Sequence, residues 1–153
     1  MTELVRYLAG TWTLERRATD RYTGLVHHMA GQARYTITAE GLAYAERVRW
    51  IAPDGTPLRG ERHYTIVALG PWSAEVRFAD GRHFYALDLA AGWAEVAHAC
   101  PPDHYRGRYT LDGPNRHRTH WTVTGPRKDL TLVTTFTRLP ASPDRRDARS
   151  QLE

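Results

Sequence analysis

From Gly10 onwards the chain carries turn signals roughly ten to twenty residues apart, and the segments between these signals alternate instead of keeping a helical period. Tyr22-Thr23-Gly24, Glu40-Gly41, Pro53-Asp54-Gly55, Gly70-Pro71, Asp80-Gly81, Pro101-Pro102, Asp112-Gly113-Pro114 and Gly125-Pro126 are the strongest breaks. They predict ten strands, over residues 11–19, 25–38, 42–51, 58–69, 72–78, 83–89, 94–100, 105–111, 116–124 and 130–139. Before them, Leu4, Val5 and Leu8 suit one short helix, and residues 90–95 admit an alternative helical turn. Strands joined almost wholly by hairpins make a meander, and closure into a barrel hides the two edges of a long one best. The expected fold is therefore all-β, a small up-and-down antiparallel β-barrel of about ten strands with a short N-terminal helix. A two-sheet sandwich is the alternative, and the absence of a blade-length repeat argues against a propeller.

The chain has 153 residues, enough for one core or one small cavity. Residues 1–139 form the expected single domain; residues 140–153 are polar and charged without strand pattern and read as a disordered tail. No run approaches the roughly 18 apolar residues of a membrane helix, and Met1 to Gly10 has no apolar signal-peptide core, so a cytoplasmic protein without a membrane partner is expected. The net charge is +4, but the arginines are spread among acids and form no stripe, so no nucleic-acid partner is expected. Cys100 is the only cysteine, which excludes an intrachain disulfide and a multi-cysteine metal site.

Alternation gives each strand two faces. The more apolar faces group Trp12, Leu14 and Arg16; Leu42, Tyr44, Glu46, Val48 and Trp50; Arg62, Tyr64, Ile66 and Ala68; Ala74, Val76 and Phe78; Val96, His98 and Cys100; Tyr105, Gly107, Tyr109 and Leu111; Thr119, Trp121 and Val123; and Leu130, Leu132, Phe136 and Arg138. An interior holding Arg16, Glu46, Arg62, Tyr64, His98 and Tyr105 is either an internal ion network or a cavity whose polar groups orient a ligand. Arg16, Tyr44, Arg62, Tyr64, His83, Cys100, Tyr105 and Trp121 are the expected ligand-binding residues.

Gly10-Thr11-Trp12 after a short helical turn, with Arg138 at the end of the last strand, resembles the calycin pattern of lipocalins and fatty-acid-binding proteins. That resemblance implies a first-strand Trp packed against a late Arg to close the barrel. Gly10-Thr-Trp-x-x-x-Arg16, Phe78-x-Asp80-Gly81-Arg82-x-Phe84, His98-x-Cys100-x-x-Asp103-x-Tyr105 and Val123-x-Gly125-Pro126-x-Lys128-Asp129 together resemble a bacterial family, DUF6314, over roughly residues 4 to 138. The family supports the barrel and implies no activity.

The chemistry must come from the residues. Binding of a small organic molecule, anionic or carbonyl-bearing, is the first expectation. A cofactor-free isomerase, cyclase or hydrolase using Glu46 or His98 as acid–base is the alternative, and an interaction module with a filled core is the third. His98 and Cys100 lie about 7 Å apart along one strand face, loose for a nucleophile and its base, so Cys100 reads as a buried structural thiol beside a pocket-lining His98. Zinc on His98, Cys100 and His104, and haem on His28 or His83, are minor readings without a ligand motif, so no cofactor is expected. Ligand identity and oligomeric state stay open.

Overall fold

A computed structural model describes residues 1–141; the part of the tail reading that concerns residues 142–153 lies outside them. One helix and ten strands follow in chain order: α1 Glu3–Leu8, β1 Gly10–Asp20, β2 Leu25–Ile37, β3 Gly41–Ile51, β4 Pro57–Ala68, β5 Ser73–Phe78, β6 His83–Asp88, β7 Trp93–Cys100, β8 Asp103–Leu111, β9 Arg116–Gly125 and β10 Lys128–Arg138. Each predicted strand is present, with boundaries moved by at most two residues, because hairpin chemistry marks strand ends strongly. Residues 90–92 are a turn, not a helical turn, and Trp93 already belongs to β7.

All ten strands form one antiparallel sheet in the order β6-β5-β4-β3-β2-β1-β10-β9-β8-β7. Pairing of β1 with β10 brings the first and last strands together and curls the meander into a nearly closed barrel. The remaining seam lies between β6 and β7, which share no ladder among the described residues and are bridged by side chains. Sharp coiling elsewhere depends on close backbone contact: a Cβ on Gly31 would stand 1.8 Å from the Arg47 carbonyl oxygen, so only glycine lets β2 and β3 approach there.

One barrel end is plugged. Thr2 caps α1, and Leu4, Val5 and Leu8 are buried beneath it. Trp12 is fully buried and donates its indole N–H to the Leu8 carbonyl at 2.8 Å. The Arg138 guanidinium lies 4.2 Å over the Trp12 ring and donates to the carbonyls of Ala9 (2.9 Å), Tyr7 and Pro114 (3.1 Å). The Trp–Arg closure that the calycin resemblance implied is thus formed.

The plug also contains a group that the sequence reading did not single out, although it shares the strand face of Thr119, Trp121 and Val123. His117 is fully buried, stacked on Phe136 and edge-on to Trp12, both at 4.5 Å between centroids. Neither ring nitrogen has a hydrogen-bond partner among the described residues. Burial, with the Arg138 charge nearby, pushes its pKa from 6.5 down to about 3. The unfolded chain then binds one more proton than the fold across the interval between those values, so stability is full above about 6.5 and falls as pH drops. The expected loss is up to about 1.4 kcal/mol per pH unit. Urea unfolding from pH 7 to 5, above the range in which carboxylates titrate, should show this slope, and His117→Phe should flatten it. An unchanged slope in that variant would remove the assignment to His117.

Candidate functional site

Inside the open part of the barrel is a cavity of about 610 Å³. Its wall includes all ten residues singled out from the sequence: Arg16, Tyr44, Glu46, Arg62, Tyr64, His83, His98, Cys100, Tyr105 and Trp121. They come from seven strands, and one face parity brings most of them to a common interior. Two of their settings differ from expectation. Arg62 is exposed at the mouth instead of enclosed, because the cavity opens at the barrel end away from α1. Cys100 is an exposed free thiol rather than a buried structural one, since it is the last residue of β7 and reaches the same opening. His98 is half-buried, edge-on to Phe84 at 5.1 Å, and His83 is exposed with Nδ1 3.3 Å from Glu75. His98, Cys100 and His104 do not converge, and no group of three metal-ligating side chains assembles among the described residues. His27 is half-buried and His28 exposed, on opposite strand faces.

The buried polar centre is an ion pair. The Arg16 Nη1 and Nη2 atoms donate to the two Glu46 oxygens at 2.7 and 2.9 Å, and Arg16 Nε donates to Thr134 Oγ1 at 2.8 Å. The Tyr44 hydroxyl donates to Glu46 Oε1 at 2.7 Å. Burial by itself would raise the Glu46 carboxyl, but the Arg16 hydrogen bonds and charge, with Tyr44 and Arg62, outweigh it and leave its pKa below the ordinary value. Burial likewise opposes the Arg16 charge, and Glu46 more than restores it. Each of the three Arg16 side-chain nitrogens thereby has a partner, and Glu46 remains an ionised acceptor with both oxygens engaged.

Aromatic rings make most of the remaining wall. Phe78 stacks on Phe84 at 4.3 Å, and Phe84 on Trp121 at 5.7 Å across the β6–β7 seam. The Trp121 indole lies flat on Gly107, where a Cβ would come within 2.8 Å of it. Phe84 and Tyr85 are adjacent in sequence yet both buried. A register shift between Val76 and Arg77 leaves Tyr85 opposite Val76 and His83 opposite Arg77, so Phe84 is the extra residue of a bulge. The sequence reading assigns this strand no inward face and singles out neither ring, and alternation alone would place the two on opposite faces. Tyr35 and Thr134 also lay outside the sequence reading, although period two from Trp12's neighbours on β2 and β10 places both inward.

Charge at the mouth is mostly paired. Lys128 Nζ stands 2.8 Å from Asp103, and Arg82 Nε 2.6 Å from Asp80. Arg62 sits across from Glu46 in the β3–β4 ladder, but Glu46 is already held by Arg16. Arg62 itself makes no ion pair among the described residues.

A sequence profile of a family of unknown function, DUF6314, matches residues 8–138. No curated protein matches the chain. Among solved structures, the S-type phycobiliprotein lyase CPES from Guillardia theta superposes with a TM-score of 0.66 at 8% identity, over 93% of this chain and 95% of that one. A redesigned β-barrel and a de novo fluorescence-activating β-barrel match with TM-scores of 0.44, at 17% and 16% identity, covering 92% and 91% of this chain and 98% and 100% of theirs. The likeness to the lyase establishes the barrel fold. No described helix is long and apolar enough to cross a membrane.

Proposed function

The chain belongs to the family of unknown function DUF6314, and from its cavity we propose that it binds a small organic molecule, anionic or carbonyl-bearing, inside the barrel. One observation carries the reading: an aromatic cavity of about 610 Å³ opens past Arg62, a guanidinium with no ion-pair partner among the described residues. The volume suits a small organic ligand. A charge-assisted hydrogen bond from Arg62 would orient its anionic end, while Phe78, Phe84 and Trp121 would cover its apolar body. Arg16 is not the anion receptor, since Glu46 already neutralises its charge. Glu46 in turn acts by holding Arg16, and its fully engaged oxygens argue against a role in proton transfer. A filled-core interaction module does not fit a barrel with this cavity. The reading requires no resident metal or cofactor, and a single exposed thiol suits the reducing cytoplasm.

Native mass spectrometry for a co-purified molecule, and fluorescence titration with 1-anilinonaphthalene-8-sulfonate, test it. Saturable one-to-one binding that weakens with added salt is expected. Arg62→Leu should weaken the dye about tenfold, a modest factor because the group faces water, with no loss of fold. Absence of saturable binding, or equal affinity in the variant, would remove the anion site.

A further inference from the structure

Resting on that reading, we infer that the cavity contains a second polar subsite, the Tyr85–Tyr109 hydroxyl pair, which recognises a carbonyl oxygen on a planar aromatic ligand. The two rings come from β6 and β8, on opposite sides of the seam where the sheet lacks a ladder, and both line the cavity. Their hydroxyl groups hydrogen-bond to each other. Neither has another hydrogen-bond partner among the described residues. Two hydroxyls carry two protons, and the bond between them uses one. The second proton is a donor without a protein acceptor among the described residues, carried by one buried and one half-buried tyrosine in the aromatic wall of the cavity.

The donor does not titrate away. Burial raises the Tyr85 hydroxyl well above its ordinary pKa of 10, with the neighbouring Tyr109 adding to the effect. Burial pushes Tyr109 up to about 12, although its hydrogen bond to Tyr85 works the other way. Both are therefore neutral donors at any physiological pH. Their position also fixes the ligand's shape. Trp121 stands 5.2 Å from the Tyr85 ring and stacks near-parallel on Phe84, so the space beside the hydroxyls is bounded by flat π-faces. A carbonyl in the plane of a conjugated ring system meets both demands, because its lone pairs lie in the ring plane while its faces meet the aromatics. With Arg62 at the mouth, the implied class is a planar aromatic acid bearing a ring carbonyl, of quinone or flavone type.

A matched pair of probes isolates the subsite. Anthraquinone-2-sulfonate and anthracene-2-sulfonate share shape and charge, and only the first has ring carbonyls. The wild-type protein should bind the quinone at least tenfold more tightly by isothermal titration. Tyr85→Phe with Tyr109→Phe should abolish that preference while leaving anthracene-2-sulfonate affinity nearly unchanged; Tyr109→Phe alone serves if the double variant is unstable. Arg62→Leu should weaken both probes by a similar factor and preserve the preference. Equal wild-type affinity for the two probes, or a preference that survives the phenylalanine variants, would overturn the subsite and leave the anion-binding reading standing. Failure of both probes to bind would overturn the two together.

Discussion

Trp12→Ala should destabilise the protein by about 3–5 kcal/mol, the cost of emptying a fully enclosed aromatic site. The indole fills the end of the barrel beneath α1, and its N–H satisfies the Leu8 carbonyl at the last turn of that helix. Its removal leaves a void beside His117 and Phe136 as well as an unmet carbonyl. Arg138→Ala should also be damaging, by about 2 kcal/mol, because it strands three carbonyls that Arg138 now ties together. The guanidinium covers the indole face, so the two substitutions act on one structure. A double-mutant cycle followed by urea unfolding should give a coupling of about 1 kcal/mol or more. Strict additivity would mean that the helix and the strand ends close the barrel independently, contrary to the contacts described above.

The second large effect is expected at the buried ion pair. Arg16→Leu leaves the Glu46 carboxylate, 2% exposed, with the Tyr44 hydroxyl as its remaining hydrogen-bond partner. Breaking such a pair from one side costs about 3–5 kcal/mol, whereas replacing both partners by apolar groups is close to neutral. The double variant Arg16→Leu/Glu46→Leu should therefore recover most of the loss. The pH dependence gives an independent check. In the wild-type protein the Glu46 carboxyl sits below its ordinary value, so its contribution is present above about 4.5 and is lost as pH falls through the folded value. Without Arg16, burial dominates and raises that carboxyl above its unfolded value. The variant then takes up a proton on folding and regains stability as pH falls. The deficit of Arg16→Leu should thus shrink between pH 7 and pH 5, while the His117 contribution, common to both proteins, cancels. A deficit under about 1 kcal/mol at pH 7, or one that does not change with pH, would show that water or another group already screens Glu46.

Much of this molecule is legible from local chemistry. Turn residues such as Pro53-Asp54-Gly55 and Asp80-Gly81 mark the hairpins, and alternation along β3 separates Tyr44 and Glu46 from Arg47 and Arg49 because side-chain direction in a strand repeats every two residues. The Gly10-Thr11-Trp12 opening and Arg138 likewise announce a closure that β1–β10 pairing then forms. Other features depend on the summed registers of a curled sheet, and no local pattern contains them. Arg16 reaches Glu46 because β2 lies between their strands, offset so that Met29 faces Arg16 and Ala33 faces Glu46, and the barrel's curvature brings the two side chains together over the small Ala33 and Gly31. A single bulge turns Phe84 inward beside Tyr85. Closure across an unladdered seam sets Tyr85 against Tyr109, and the position of the barrel mouth, not strand parity, leaves Arg62 and Cys100 open to water. Parity is a property of each strand alone; which inward side chains meet, and which of them stay wet, is fixed only when the sheet's twist and stagger close it on itself.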